Sequence, residues 1–458
     1  MDYRKPELQL DPSHANYKKL EQLGEAYRSA KKQLKIQSEE KKALSKQVAL
    51  AKKNQEDASD LIANIQGIGE KLKTIKQQLK TTEQAIDDAL TNNKTSSDRI
   101  ITAPQFSEVT NNPALSANDI SISICDDEET WQQYIHQHPN ATIYHSLATR
   151  NVISKAFNHQ HLMLIASHKG VACGVLPLYR LQSKLFGDLW CSVPFFNYGG
   201  VIADSPEIAK ALVNYAAKHS QQHGGEHIEY RHSHNALSDY PSRNEKVSML
   251  LQLPETSEQL WQAIGSKLRA QIKKADSHQL TTKTGREELI DDFYRVFAHN
   301  MRDLGTPVYS KKLFQHMINE HPSAAITLLY HNGKPVSAGF TLGWRNTLEI
   351  PWASTLRSAN SLNANMRLYW EILQYAIEQK YQIFDFGRSS KDASTFKFKK
   401  QWGAEPQQLH WHYWLPNNSP LPSINNNNPK YQLAIKMWQR LPLWATKLLG
   451  PHIVKYIP

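Results

Sequence analysis

Cysteine is scarce in this chain: Cys125, Cys173 and Cys191 are the only three in 458 residues, and no two form a CxxC pair. That spacing supplies neither a disulfide framework nor a thiolate metal cluster, so the three read as small buried residues of a reducing compartment. Long apolar runs are missing too. No stretch approaches the ~20 residues that a membrane span needs, and the charged start from Asp2 to Lys5 lacks the apolar core of a signal peptide. The expected location is the cytoplasm. Neither a Walker-type phosphate loop nor a GxGxxG is present, which argues against ATP chemistry. Histidines are numerous, but His219, His223, His227, His232 and His234 do not form a convincing ligand set. His410 and His412 alternate on an expected strand without acidic neighbours. No metal site and no cofactor are expected.

What the chain does have is positive charge, a net +11, which favours an anionic partner. Its distribution is uneven. Between Arg28 and Lys53 stand nine Lys/Arg and only two acids, Glu39 and Glu40. The same segment has a strict three-four apolar spacing through Leu20, Leu23, Tyr27, Ala30, Leu34, Gln37, Lys41, Leu44, Val48 and Ala51. A second limb repeats it through Leu61, Ile65, Ile68, Leu72, Ile75, Leu79, Thr82, Ile86 and Ala89. Such spacing keeps one seam facing a partner helix, so residues 1–91 are expected to form an antiparallel coiled-coil hairpin turning at Lys52–Asp57. At ~1.5 Å per residue, a limb of about 40 residues is ~60 Å long. A basic limb of this kind suits a phosphate backbone, with Arg28, Lys31, Lys35, Lys42, Lys46, Lys52 and Lys53 as the contact residues. The alternative is a coil that only dimerises or spaces.

Particular words in the hairpin add to this. Ala43-Leu44-Ser45-Lys46, Ala51 through Ala58, and Ile68-Gly69-Glu70-Lys71-Leu72-Lys73 resemble, in order and tip position, the tRNA-binding arm of seryl-tRNA synthetases. The resemblance implies tRNA, and serine tRNA in particular, as the partner. The synthetase's catalytic domain does not follow.

Residues 92–119, rich in Thr, Asn, Ser and Pro, are expected to be a flexible linker. The body then shows one order twice: a strand hairpin, a strand, a helix and a strand. In the first copy the hairpin is Leu162–Ser167 with Val171–Tyr179, the helix is 206–219, and a strand follows at Ile228-Glu229-Tyr230. In the second, Ala325–Tyr330 pairs Val336–Trp344 across Asn332-Gly333. Thr347–Ser354, the helix 364–379 and the strand Ile383–Phe386 follow. The order matches an acyltransferase domain of the GNAT superfamily. The expected fold class is therefore α+β: duplicated GNAT-like domains, 120–250 and 251–415, preceded by the hairpin. Residues 416–458 form a loop and a Trp-rich basic amphipathic tail. That tail would make weak contact with a membrane surface or pack on its own domain.

Trp352-Ala353-Ser354, Leu368-Tyr369-Trp370, Phe384 through Ser389 and Phe396 through Gly403 resemble the Fem-type branch of that superfamily. Met301 through Pro307, Pro194 through Gly200 and Ile228 through Arg231 narrow the resemblance to the FemAB-related group of exosortase (PEP-CTERM) systems. Fem ligases move amino acids from aminoacyl-tRNA onto cell-wall peptide precursors, and their coiled hairpin lies inside the second GNAT domain. Here the hairpin is N-terminal, so their acceptor does not carry over.

The resemblance implies an aminoacyltransferase, with aminoacyl-tRNA as co-substrate and a small-molecule or peptide amine as acceptor. Phe398-Lys399 matches the Fem donor-end pair: Lys399 would face the ester carbonyl or terminal ribose-phosphate, and Phe398, read as lying on a strand, would stack on the terminal adenine or pack in the core. Asp385 and Arg388 flank Gly387 at a strand end. There Arg388 suits a carboxylate or phosphate, and Asp385 would orient it or accept a proton. Glu349, Trp352 and Tyr369 are candidate base and cleft walls. Tyr198 and Arg231 are candidate acceptor contacts, and Arg302 with Asp303 is expected at the joint between domains. Two other functions stay open. A CoA-dependent N-acyltransferase is disfavoured because no glycine lies between Trp344 and Phe386, where a pyrophosphate turn belongs. A non-catalytic tRNA-binding scaffold is the other.

Overall fold

A computed structural model describes residues 17–54, 56–91, 120–183, 186–234, 237–391, 393–416, 419–422 and 429–458. The chain divides into two compact units, 1–102 and 103–458. In the first, α1 (Tyr17–Lys53) and α2 (Ser59–Thr91) form the hairpin. From Leu23 to Ala51, every seam position named above is buried or half-buried, while the described positions between them, apart from Gly24, are exposed. In α2 the seam from Leu61 to Thr82 is likewise the more buried side; the side chains of Leu20, Ile86 and Ala89 lie outside the described residues. Asp57 starts α2, its Oδ1 accepting from the Ser59 amide and hydroxyl at 2.9 and 2.6 Å.

The second unit contains two sheets. The first stretch supplies β1 (Ile120–Ile124), α3 (Glu128–Gln137), α4 (Leu147–Phe157), β2 (His161–His168) and β3 (Val171–Ser183). Next come β4 (Gly187–Cys191), β5 (Ile202–Ala203), α5 (Pro206–Gln222), β6 (His227–His232) and β7 (Ser242–Arg243). The second stretch supplies β8 (Lys246–Gln252), α6 (Ser257–Ala263), α7 (Ser266–Asp276), β9 (Thr281–Gly285), α8 (Ile290–Leu304) and α9 (Lys311–Glu320). Then follow β10 (Ala325–His331), β11 (Lys334–Trp344), β12 (Thr347–Thr355), α10 (Ala364–Glu378) and β13 (Ile383–Ser390). The chain ends with α11 (Ser394–Lys400), β14 (Glu405–Gln408), β15 (His410–Trp414), α12 (Pro429–Arg440) and α13 (Leu443–Val454).

The two sheets repeat one plan. Their orders are β1-β2-β3-β4-β6-β15-β7, with β5 beside β3, and β9-β10-β11-β12-β13-β8-β14. Each has a single parallel pair, β4 with β6 and β12 with β13, bridged by a crossover helix, α5 or α10. The second sheet is built from consecutive strands, β8 to β14, whereas the first is completed by β15, which follows the second stretch yet pairs β6. This return of the chain to the first sheet ties the halves together. Crossover helix α10 packs Leu368, Ile372, Leu373 and Ala376 against its sheet. Gly339 on β11 permits that approach, since a Cβ there would sit 2.5 Å from Ile372 Cδ1.

One local expectation is corrected. Phe398 lies on α11 rather than on a strand: Ser394 to Lys400 follows an extended Ala393 and closes helical bonds back onto it. The tail forms two helices, and both pack on α8. Among the described residues, no helix is long and apolar enough to cross a membrane.

Candidate active site

The β12–β13 pair is short. It runs from Thr347↔Ile383 to Glu349↔Asp385, after which the strands part. β12 continues along β11 to Thr355, while β13 bulges against β8 between Asp385 and Arg388. Gly387 takes the left-handed turn of that bulge (φ +71°), and a Cβ there would lie 3.1 Å from Asn197 Nδ2. Two acids, Glu349 and Asp385, therefore stand side by side where the strands open.

Both are buried and heavily solvated by protein donors. Asp385 Oδ1 accepts from Ser248 Oγ at 2.8 Å and from the Gly387 amide at 2.7 Å; Oδ2 accepts from the Tyr198 hydroxyl at 2.5 Å. The Tyr198 and Ser248 hydroxyls also lie against one another. Glu349 accepts from Tyr144 at 2.8 Å and Asn197 Nδ2 at 2.7 Å. Burial, and then the Asp385 charge beside it, raises Glu349 well above the usual carboxylate range; burial raises Asp385 as well, against three stabilising hydrogen bonds. Two like charges on neighbouring strands of a buried site disfavour one another's ionisation, which makes the carboxylate that forms last the stronger base.

Lys399 is tied to the same bulge. Its Nζ is buried and donates to the carbonyls of Gly387 and Arg388, at 2.9 Å each. An ammonium has three donors, which leaves one for a ligand. Burial pulls its pKa down to about 8, against the charges of Asp385 and Glu349. Arg388 is exposed and lies over Trp411, 5.0 Å from the ring centroid. Arg231 covers the same indole at 4.6 Å but is sealed in, bound to Glu229 at 2.7 Å and to the Phe196 carbonyl at 3.0 Å. Arg231 thus braces the wall and Arg388 is its open cation.

A cavity of about 230 Å³ reaches the acids. Leu250, Leu342, Trp344 and Ile383 contribute apolar wall, and Tyr198, Glu349 and Asp385 reach the same space. Arg345, also in the lining, points its guanidinium to the carbonyls of Ile135, His136, His138 and Pro139 at 2.8–3.3 Å, capping α3.

Other residues expected at the site sit elsewhere. Trp352 packs among Phe196, Tyr309, Phe314 and Phe340. Tyr369 stacks on Phe386 at 5.5 Å and meets Phe398 edge-on at 4.9 Å, so these three join the core beneath α10 and α11. Arg302 and Asp303 pair with each other at the end of α8, where Arg357 and Gln439 donate to the Asp303 carbonyl. Their position is set by the tail helix rather than by the cavity. On the arm, Arg28, Lys31, Lys35 and Lys42 are all exposed. At 100° per residue they fall within a stripe roughly 60° wide beside the seam. The side chains of Lys46, Lys52 and Lys53 lie outside the described residues. Among the described residues, no three His, Cys, Asp or Glu side chains are grouped to hold a metal ion.

Sequence reasoning missed Tyr144, Asn197, Ser248 and Trp411. Asn197 had a signal, adjacent to Tyr198 in the segment 194–200. Tyr144 and Ser248 had none, because they meet their acids 205 and 137 residues away along the chain.

Comparison with known proteins agrees with this architecture. Residues 265–400 match the family model of an acetyltransferase (GNAT) domain, and residues 9–92 match that of the seryl-tRNA synthetase N-terminal domain. No curated protein matches the chain. Among solved structures, FemX aligns with TM-score 0.53 and 12% identity over 69% of this chain and 100% of its own. A tandem GNAT protein from the clavulanic acid pathway gives TM-score 0.43 and 12% identity, over 66% of this chain and 100% of its own. The C-terminal domain of a putative lysylphosphatidylglycerol synthetase from Agrobacterium fabrum gives 0.43 and 11%, over 65% and 93%. The chain carries an acyltransferase domain of the GNAT type within a FemX-like duplicated fold, and an N-terminal segment that matches the seryl-tRNA synthetase N-terminal domain.

Proposed function

We propose that the protein transfers an aminoacyl group, serine, from its tRNA to a primary amine, with the arm holding the tRNA. The observation that carries this reading is the buried Glu349–Asp385 pair where β12 and β13 part, reached by an apolar cavity. An aminoacyl ester is already activated, so transfer requires positioning, removal of one proton and stabilisation of the oxyanion. The amine nitrogen attacks the ester carbonyl carbon. The C–N bond forms, the bond from carbon to the ribose oxygen breaks, and the amine proton passes through the Glu349 carboxylate to the departing ribose oxygen. A carboxylate whose pKa is raised by burial works as a base near neutral pH. Asp385, held by Tyr198, Ser248 and the Gly387 amide, stays the charged partner that keeps Glu349 basic. Lys399 offers its remaining N–H to the oxyanion, and Arg388 takes a terminal phosphate of the tRNA. The cavity receives the acceptor: at ~30 Å³ per water it holds roughly eight waters, the space of a small amine with an apolar skeleton.

Acyl transfer from CoA has one observation behind it, the acetyltransferase description of the matched family. Against it, the chain passes from β12 to α10 through a glycine-free turn at Arg357–Leu362. Incubation with a pool of charged tRNAs and small amines tests both readings. Binding and discharge of seryl-tRNA with a serylamide product supports the proposal. Acylation of amines from acetyl-CoA with no tRNA discharged rejects it.

A further inference from the structure

The tail helices α12 and α13 are apolar on both sides. One side of α13 is sealed against the body through Ala445, Thr446 and Val454, and a Cβ on Gly450 would lie 2.7 Å from the Val308 amide. The other side is open. Trp444 is 70% exposed and Leu448 61%; Leu433 and Met437 of α12 are 60% and 62% exposed. In each helix these residues are four apart, so each pair shares a face. Leu449 and Leu304, at the end of α8, add to the exposed set. Six of the eleven large apolar side chains exposed among the described residues belong to this region.

The charge of the segment is one-sided. No Asp or Glu occurs after Glu405, and Lys430, Lys436, Arg440, Lys447 and Lys455 are spread through the helices. Asp303, whose carbonyl meets Gln439 of α12, has its carboxylate neutralised by Arg302. Protein interfaces deplete lysine at their apolar centres. Helices that lie in a bilayer interface instead combine Trp and Leu on the buried side with Lys and Arg that reach the headgroups.

We infer that the α12–α13 face docks on the surface of an anionic lipid bilayer. Neither helix spans it. The contact is peripheral, made by Leu433, Met437, Trp444 and Leu448 entering the headgroup boundary while Lys436 and Arg440 meet lipid phosphates. This contact is independent of the transfer chemistry proposed above. An enzyme held there would meet acceptors that are themselves concentrated at the membrane.

The test is cosedimentation of the full chain with vesicles of phosphatidylcholine alone and of phosphatidylcholine with phosphatidylserine. Binding should favour the anionic vesicles and weaken with salt. Because the basic arm also attracts anionic lipid, the decisive comparison is between variants. Trp444→Ser with Leu448→Ser, both on exposed positions, should lower anionic-vesicle binding roughly tenfold or more, as should Lys436→Glu with Arg440→Glu. Arm charge reversal should leave in place the part of the binding that depends on Trp444 and Leu448. Unchanged binding by either tail variant overturns the inference. So does self-association without lipid that the Ser variant abolishes, since that assigns the face to a second copy of the chain.

Discussion

In the proposed reaction, the burial of Glu349 sets catalysis and stability against one another. A carboxyl whose folded pKa lies above its unfolded value binds more protons in the native state, so its contribution to stability falls as pH rises from about 4.3 through the folded pKa. Glu349→Gln keeps the shape and removes the charge. The variant should therefore be more stable than wild type by ~1–3 kcal/mol at pH 8, measured by chemical denaturation, and slower in transfer by ~10²-fold or more. Loss of both stability and rate would mean that the acid is a structural brace. Lys399 has the opposite sign. Its folded pKa, pulled down to about 8 by burial, makes the unfolded chain the better proton binder between about 8 and 10.4, so stability rises with pH across that window. Lys399→Met should flatten that rise and, with the last donor gone, cut single-turnover transfer by ~10²-fold. tRNA affinity should hardly move if, as proposed, the arm holds the tRNA. Transfer at the wild-type rate by a folded Lys399→Met variant assigns the lysine solely to holding the bulge.

At the scale of elements, the returning strand β15 is fastened to β6 through histidines. His232 Nε2 accepts from the Val201 amide at 3.0 Å, and its Nδ1 meets His412 Nδ1 at 3.0 Å. Burial holds His232, His234 and His412 below the ordinary histidine value, His234 and His412 at about 4, with His145 and His410 adding like charge when protonated. A depressed histidine gives stability that is complete above about 6.5 and is lost as pH falls toward its folded pKa. Each such group carries up to ~3 kcal/mol of this dependence. Unfolding free energy should thus drop steeply from pH 6.5 to 4, and His412→Gln, which does not titrate, should reduce the slope; an unchanged slope would place the acid sensitivity elsewhere. These elements also show what was legible. The seam from Leu23 to Thr82 was read residue by residue, because a three-four period needs only local information. The paired strand hairpins around Lys169-Gly170 and Asn332-Gly333 were legible for the same reason. The return of β15 to the first sheet was not, since its partner β6 is far from it in sequence. Phe398 was misplaced on a strand because Phe-Lys-Phe-Lys alternates with period two, although Ser394–Lys400 completes a helical turn.

For the molecule as a whole, the proposed reaction gives the arm and the transferase body, each recognisable separately, one joint task. The arm's exposed stripe of Arg28, Lys31, Lys35 and Lys42 should act as a unit. Reversing all four to Glu should weaken tRNA binding strongly and flatten the salt dependence by roughly 0.7–0.9 in log–log slope for each phosphate no longer neutralised, while the body's unfolding transition stays in place. Unchanged affinity and slope would leave the arm as a spacer. The acids beneath the parted strands were legible singly, as Glu349 and Asp385, but not as a pair, because a parallel register between residues 36 apart is set by the whole sheet. The most direct measurement of the central claim is single-turnover reaction of radiolabelled seryl-tRNA with a small primary amine, comparing wild type with Glu349→Gln. Wild type is predicted to form a serylamide at the expense of the tRNA ester, with formation slowed about 10²-fold in the variant at equal tRNA binding. Discharge of the ester at the same rate by both proteins, or no amide from any charged tRNA, would contradict it.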